Sequence, residues 1–234
     1  MKAIRLAVAF QACLLAGWAL AEEDAPAAEA PATVSAPVPV AAPTPVSAPG
    51  ARQHRGVHVH LEGGIGAMDS ETSGGGPGIR FSGPGGFFAV AVGGAVGGRL
   101  IVGGEAWSAG AYQPDVTQDS TTTTGMHQSA VAVAGVGPTI RLYIAPESAN
   151  MFLSLTPSMT WLGWFRNVND EPIHSTARVG VGARFAIGKE WWVGSSWGLG
   201  ISGSLLFSSN EDYGSNPASW HTLAGSVNFS ASFH

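Results

Sequence analysis

From Gly56 onward the chain alternates with a period of two residues, and the chemistry of the two faces constrains the fold more than any other feature. Val57, Val59, Leu61 and Ile65 fall on one face, and His58, His60 and Glu62 on the other. In 177–187, Val179, Val181, Phe185 and Ile187 oppose Arg178, Gly180, Gly182 and Arg184. Trp197, Leu199, Ile201, Leu205 and Phe207 oppose Ser196, Gly198, Gly200, Ser202 and Ser204 in the same way. Alternation alone is shared with soluble sandwiches and lipocalin-like barrels. A solvated face, however, carries Lys, Glu and Thr, whereas here it is Gly, Ser and Ala with a few charges. Small residues fit the crowded interior of a narrow barrel, and bulky apolar ones suit hydrocarbon.

Composition supports that reading. Charged residues make up 12% of the 234, about half the usual share, and the lysines are Lys2 and Lys189. The net charge of −5 argues against nucleic acid as a partner, which needs a basic patch. After residue 21 no run of about 20 apolar residues occurs, which excludes a bundle of membrane-spanning helices. The expected fold is all-β: an eight-stranded antiparallel up-and-down transmembrane barrel with a disordered N-terminal segment.

Eight segments can be laid out, at 56–67, 85–97, 99–110, 128–143, 150–165, 175–188, 190–207 and 219–233. Long polar connections (68–84, 111–127, 166–174, 208–218) alternate with short ones near 98, 144–149 and 189, as in a barrel with one loop-bearing rim. An even strand number puts both ends of the barrel on the short-turn side. Pro138 and Pro157 fall inside proposed strands, where each removes a ladder hydrogen bond. The facing of 85–112 rests on keeping Glu105 out of lipid. Trp161, Trp164, Trp191, Trp192 and Trp220 lie near strand ends and are expected at the lipid–water boundary.

Ahead of the barrel, Lys2 and Arg5 precede an apolar stretch ending at Ala19-Leu20-Ala21, the layout of a cleaved export signal over 1–21. Cys13, the one cysteine, lies within it, so the exported chain has no thiol chemistry. Residues 22–51 hold seven prolines among Ala, Val and Ser and read as an extended periplasmic spacer. The spacer is a candidate tether to the cell wall or a periplasmic protein. The barrel is assigned to 52–234.

At its end the chain carries Gly225, Val227, Phe229, Ala231 and Phe233, which resemble the terminal assembly signal of small Gram-negative outer-membrane barrels of the OmpA/OmpX type, with His234 as one extra residue. The resemblance covers Gly56 to the end. It implies the cell outer membrane, lipid and lipopolysaccharide as surroundings, and the barrel assembly machinery as a partner during biogenesis, with Val227, Phe229, Ala231 and Phe233 as the signal.

Three constellations bear on chemistry. His58, His60 and Glu62 share a face with which Glu105, Arg178 and Arg184 are expected to pair, forming a lumenal polar network that plugs the barrel. Alternate strand residues can converge on a metal. The network is the preferred reading, and no cofactor is expected. His127-Gln128-Ser129 resembles the His-x-Ser of the lipid A deacylase family, but Ala130 follows where that family has Asn, and no carboxylate comes before Glu147. Gly74 to Gly78 lacks the Lys-Ser or Lys-Thr of a phosphate loop and reads as a surface loop. The long connections hold eight carboxylates against Arg80 and Arg166. The expected role is structural or surface-interactive, without enzymatic activity. The alternatives are a narrow channel for small or hydrophobic solutes and a lipid A-modifying enzyme.

Overall fold

The computed structural model describes residues 54, 56–74, 78–125, 129–144, 150–168, 171–213 and 217–234, side chains at 166–174 excepted. The export signal and spacer assigned to 1–21 and 22–51 lie outside the described residues, as does most of the glycine loop at 74–78.

Eleven strands form: β1 (Val57–Ser73), β2 (Ile79–Val96), β3 (Leu100–Tyr112), β4 (Asp115–Gln118), β5 (Thr121–Thr123), β6 (Ser129–Ile144), β7 (Met151–Val168), β8 (Glu171–Thr176), β9 (Gly180–Trp192), β10 (Trp197–Glu211) and β11 (Ser219–Phe233). The long strands pair antiparallel in the order β1-β11-β10-β9-β7-β6-β3-β2, and β2 pairs back to β1. This is a closed eight-stranded barrel. The short strands extend one rim: β4 pairs with β2 and β5, and β8 with β7.

Strand boundaries differ from those read in the sequence, most informatively at two places. The turn expected near 189 sits instead at 193–196, because Lys189 pairs with both Ile201 and Met151 inside β9. Gly188 mimics a turn residue but lies mid-strand, where the Phe152 ring covers it; an added Cβ would meet that ring at 2.6 Å. The long connection at 68–84 also contracts. β1 and β2 stay in register to Glu71↔Arg80, and Arg80 Nε donates to Asp69 Oδ2 at 2.8 Å. At about 3.4 Å per residue, the 17 residues of β1 extend about 58 Å, or roughly 44 Å along the barrel axis for a strand tilted by ~40°. That exceeds an apolar band of about 25 Å, so polar residues continue the alternation above it. At the other rim Gly97 and Gly98 both take positive φ, as a tight hairpin turn requires.

The wall is inverted relative to a soluble barrel. Ile140, Leu155, Phe185 and Leu205 are cross-strand neighbours on four successive strands and all point outward, between 41 and 54% exposed. Ile65 and Val227 continue the belt on β1 and β11. Near the turn-side rim Trp191, Trp197 and Phe233 face outward, with Lys189 Nζ 5.6 Å from the Trp191 ring. The five tryptophans expected at the lipid boundary divide. Trp161 and Trp191 lie on the outward faces of β7 and β9, whereas Trp220 is buried inside the barrel, Trp164 packs against the buried cluster around it, and Trp192 comes within 5.5 Å of His54.

Pro138 and Pro157 stand directly opposite each other in the β6–β7 register, in the gap between Val136↔Met159 and Ile140↔Leu155. Tyr143 donates its N–H across to Arg99 on the β3 side, so even-numbered residues of β6 turn their nitrogens toward β7. Asn150 accepts from Glu190 on the β9 side, so odd-numbered residues of β7 turn toward β6. The two imide nitrogens therefore face one another, and both missing hydrogen bonds fall in one place. Inside the barrel, Thr156 Oγ1 donates to Thr139 Oγ1 at 2.8 Å and bridges the same two strands.

Candidate functional site

The inward residues divide the lumen into two halves. Toward the loop-bearing rim it is apolar: Met68, Phe81, Phe87, Trp107, Val131, Val133, Leu162, Leu206 and Trp220 form one buried cluster. Phe81 and Trp220 stack with centroids 5.7 Å apart, and Trp107 Nε1 donates to Ser158 Oγ at 2.9 Å. Gly135 makes room for Trp107, since an added Cβ would lie 2.3 Å from the indole.

Toward the turns it is polar and charged. Arg184 reaches across the lumen from β9, donating from Nη2 to Glu62 Oε2 at 2.6 Å and from Nη1 to Glu105 Oε1 at 2.9 Å. Glu62 also accepts from Asn228 Nδ2 at 2.8 Å and from Ser202 Oγ. His60 links this group to a second one: its Nε2 is 3.3 Å from Glu62 Oε2 and its Nδ1 3.6 Å from Glu190 Oε1. Glu190 accepts from Ser232 Oγ at 2.7 Å and Tyr143 Oη at 3.0 Å, with Arg141 Nη1 at 3.5 Å. All of these carboxylates and guanidiniums are buried. Charges taken out of water are tolerable only when paired and hydrogen-bonded in this way.

Of the six residues expected in a lumenal network, the structure brings together His58, His60, Glu62, Glu105 and Arg184. Arg178 stands apart. It precedes β9 at the loop rim, half-exposed, with Nη1 4.0 Å from Glu211 Oε2 and its guanidinium 5.5 Å from the Tyr213 ring. The strand begins only at Gly180, so alternation does not carry Arg178 into the lumen.

Sequence reasoning missed Glu190, Arg141, Tyr143, Asn228, Ser232 and His234 as members. Glu190 was hidden by the displaced turn; the Val193-Gly194-Ser195-Ser196 run was the signal for the true one. His234, read as an extra residue after the assembly signal, turns inward, with Nε2 3.5 Å from Glu190 Oε2. Val227, Phe229, Ala231 and Phe233 follow one another on the outward face of β11.

Among the described residues no group of three or more His, Cys, Asp or Glu side chains is arranged to hold a metal ion. Ser129, of the His-x-Ser stretch, is fully buried on the inward face of β6 and its carbonyl accepts from Gln113 N–H at 2.8 Å. His127 and Gln128 lie outside the described residues.

Comparison with known proteins gives fold likeness alone. No family model matches the chain, and no curated protein matches it. Neisserial surface protein A is 10% identical over 76% of this chain and 96% of its own, with a TM-score of 0.47. The outer membrane protein OprG from Pseudomonas aeruginosa is 10% identical over 78% of this chain and 99% of its own, TM-score 0.43. The outer membrane protease OmpT from Escherichia coli is 8% identical over 77% of this chain and 97% of its own, TM-score 0.41.

Proposed function

We propose that this is an integral outer-membrane protein whose barrel is a closed plug-like scaffold and whose role is structural or surface-interactive, exercised at the loop-bearing rim. The observation that carries the reading is the inverted wall: bulky apolar residues face outward from β6 through β7, β9, β10 and β11 to β1, with small ones (Gly104, Ala106, Ser108 and Gly110) outward on β3, while the described inward residues pack against one another. Eight strands leave room for side chains and little else. Among the described residues a buried charge network occupies one half of the lumen and a packed aromatic cluster the other, which favours a plug over a channel. The β4–β5 hairpin and the Arg178–Glu211 and Arg80–Asp69 pairs decorate the rim above the belt.

In this reading outer-membrane lipid and lipopolysaccharide cover the belt, and the barrel assembly machinery reads Val227, Phe229, Ala231 and Phe233. A cleaved signal over 1–21 exports the chain, and the proline-rich spacer lies in the periplasm, where it reaches the cell wall or a protein partner. A Gram-negative envelope is the setting. No enzymatic step is assigned: Ser129 faces the lumen, where a lipid ester cannot reach it, so Ser129→Ala is expected to leave any lipid A turnover unchanged.

Two measurements test the proposal. Purified protein in planar bilayers should give no steady conductance, and a steady single-channel current would replace the plug with the channel. A cysteine at Thr122 should react with a membrane-impermeant maleimide on intact cells. Labelling only after the cells are broken would reverse the orientation.

A further inference from the structure

The turn-side mouth of the lumen is closed by a residue that belongs to no strand. Gly56 takes a φ of +77°, a left-handed bend that admits glycine without strain, and ahead of it His54 is folded into the mouth and fully buried. Its ring lies on Tyr143 of β6 with centroids 3.6 Å apart and planes 19° from parallel. Trp192 of β9 is 5.5 Å away and tilted. Nε2 is 3.1 Å from Asn150 Oδ1, ahead of β7, and Nδ1 is 2.9 Å from Nδ1 of His234, which follows β11. One imidazole thus touches four elements of the barrel.

We propose that His54 is a proton-released stopper, whose imidazole seats in the turn-side mouth and leaves it on acidification. The hydrogen-bond inventory sets the direction. A neutral imidazole has one donor and one acceptor. Nε2–H donates to Asn150 Oδ1, and Nδ1 accepts the Nδ1 proton of His234. A second proton on His54 requires the His234 nitrogen to change from donor to acceptor. That same nitrogen is also 3.1 Å from Nδ1 of His58 on β1, so three imidazoles compete at one point.

The remaining charges around the mouth do not rescue an imidazolium. Arg141 of β6 opposes it; Glu190 of β9 favours it but already accepts from Tyr143 and Ser232 and lies beside Arg141. Desolvation by burial, followed by the His234 imidazole, lowers the His54 pKa from 6.5 to about 4. The sign follows from linkage. A depressed pKa in the docked state means docking is fully favoured above about 6.5 and weakens as pH falls toward about 4, by roughly 300-fold in the equilibrium constant over that window. Release depends only on the mouth, so it is independent of which compartment the turns face.

The test uses the full chain with Cys13→Ser and a nitroxide on Ala51→Cys, three residues ahead of His54. Electron paramagnetic resonance should report a slowed label at pH 7.5 that becomes free by pH 4, while the unheated barrel keeps migrating as a compact, folded species on a gel at both pH values. His54→Phe should abolish the pH step. Asn150→Asp, which offers His54 a carboxylate, should move the step to lower pH. A label whose mobility is the same at both pH values in the parent protein overturns the proposal. So does a step that survives His54→Phe, or one that Asn150→Asp leaves in place.

Discussion

Arg184 and Glu62 meet near the centre of the barrel at 2.6 Å, both fully buried, and the same guanidinium holds Glu105 at 2.9 Å from the opposite wall. Three strands are thereby tied through one side chain. Replacing Arg184 by Leu leaves two buried carboxylates without their cation, a change that costs about 3–5 kcal/mol. The temperature at which the folded barrel loses its fast-migrating form on a gel should fall sharply. Adding Glu62→Gln and Glu105→Gln to Arg184→Leu should restore much of the loss. An unchanged transition for the single variant would mean the pair contributes nothing.

Gly135 and Trp107 give the loop-side half its own sensitive point. Gly135→Ala places a methyl 2.3 Å from the indole, so Trp107 must leave its seat and its bond to Ser158. Overpacking of this kind costs about 1–3 kcal/mol. The tryptophan emission should also shift to the red. Unfolding in urea, followed in lipid vesicles, measures the first effect and fluorescence the second.

The outer belt should grade substitutions by depth. Leu205→Arg, in the middle of the belt, is expected to cost about 2–4 kcal/mol, whereas Lys189→Arg near the turn rim should change stability by less than about 1 kcal/mol. Equal costs at the two positions would misplace the belt.

Pro138→Ala should create an amide that bonds to Pro157 O and exchanges with solvent as slowly as its ladder neighbours. The change in overall stability should be small, because the regained bond, about 0.5–1.5 kcal/mol, is offset by the greater freedom of the unfolded chain. Hydrogen exchange followed by NMR reads this directly. Rapid exchange at position 138 would contradict the derived orientation of the two nitrogens.

How much of this was legible in the sequence depended on the element. Facing was legible wherever bulky and small residues alternated, as at Leu199 to Phe207, because only one face can meet hydrocarbon. Strand ends were not. Gly188 reads as a turn until the Phe152 ring is seen lying over it, and Asp69 and Glu71 read as loop residues although they continue a ladder above the belt. The candidate network was half visible: His58, His60, Glu62 and Arg184 follow from parity and Glu105 from the cost of a carboxylate in lipid, but Glu190 needed the correct turn and His234 needed the third dimension. The apolar half of the lumen was missed, since Trp107, Phe81 and Trp220 are the kind of residue expected on the outside of such a wall.

The division of the lumen also bears on how such a chain gets into a bilayer. In the proposed orientation the loop-bearing end has to cross the hydrocarbon first, and its interior is the greasy one. That leading half can condense as an ordinary apolar core while it is still in transit. The ionised residues trail behind it, on the side from which the protein enters. The rim's own charges, Arg80 and Arg178 among them, still have to be dragged through oil, but the buried Arg141, Arg184, Glu62 and Glu190 need not follow them all the way across.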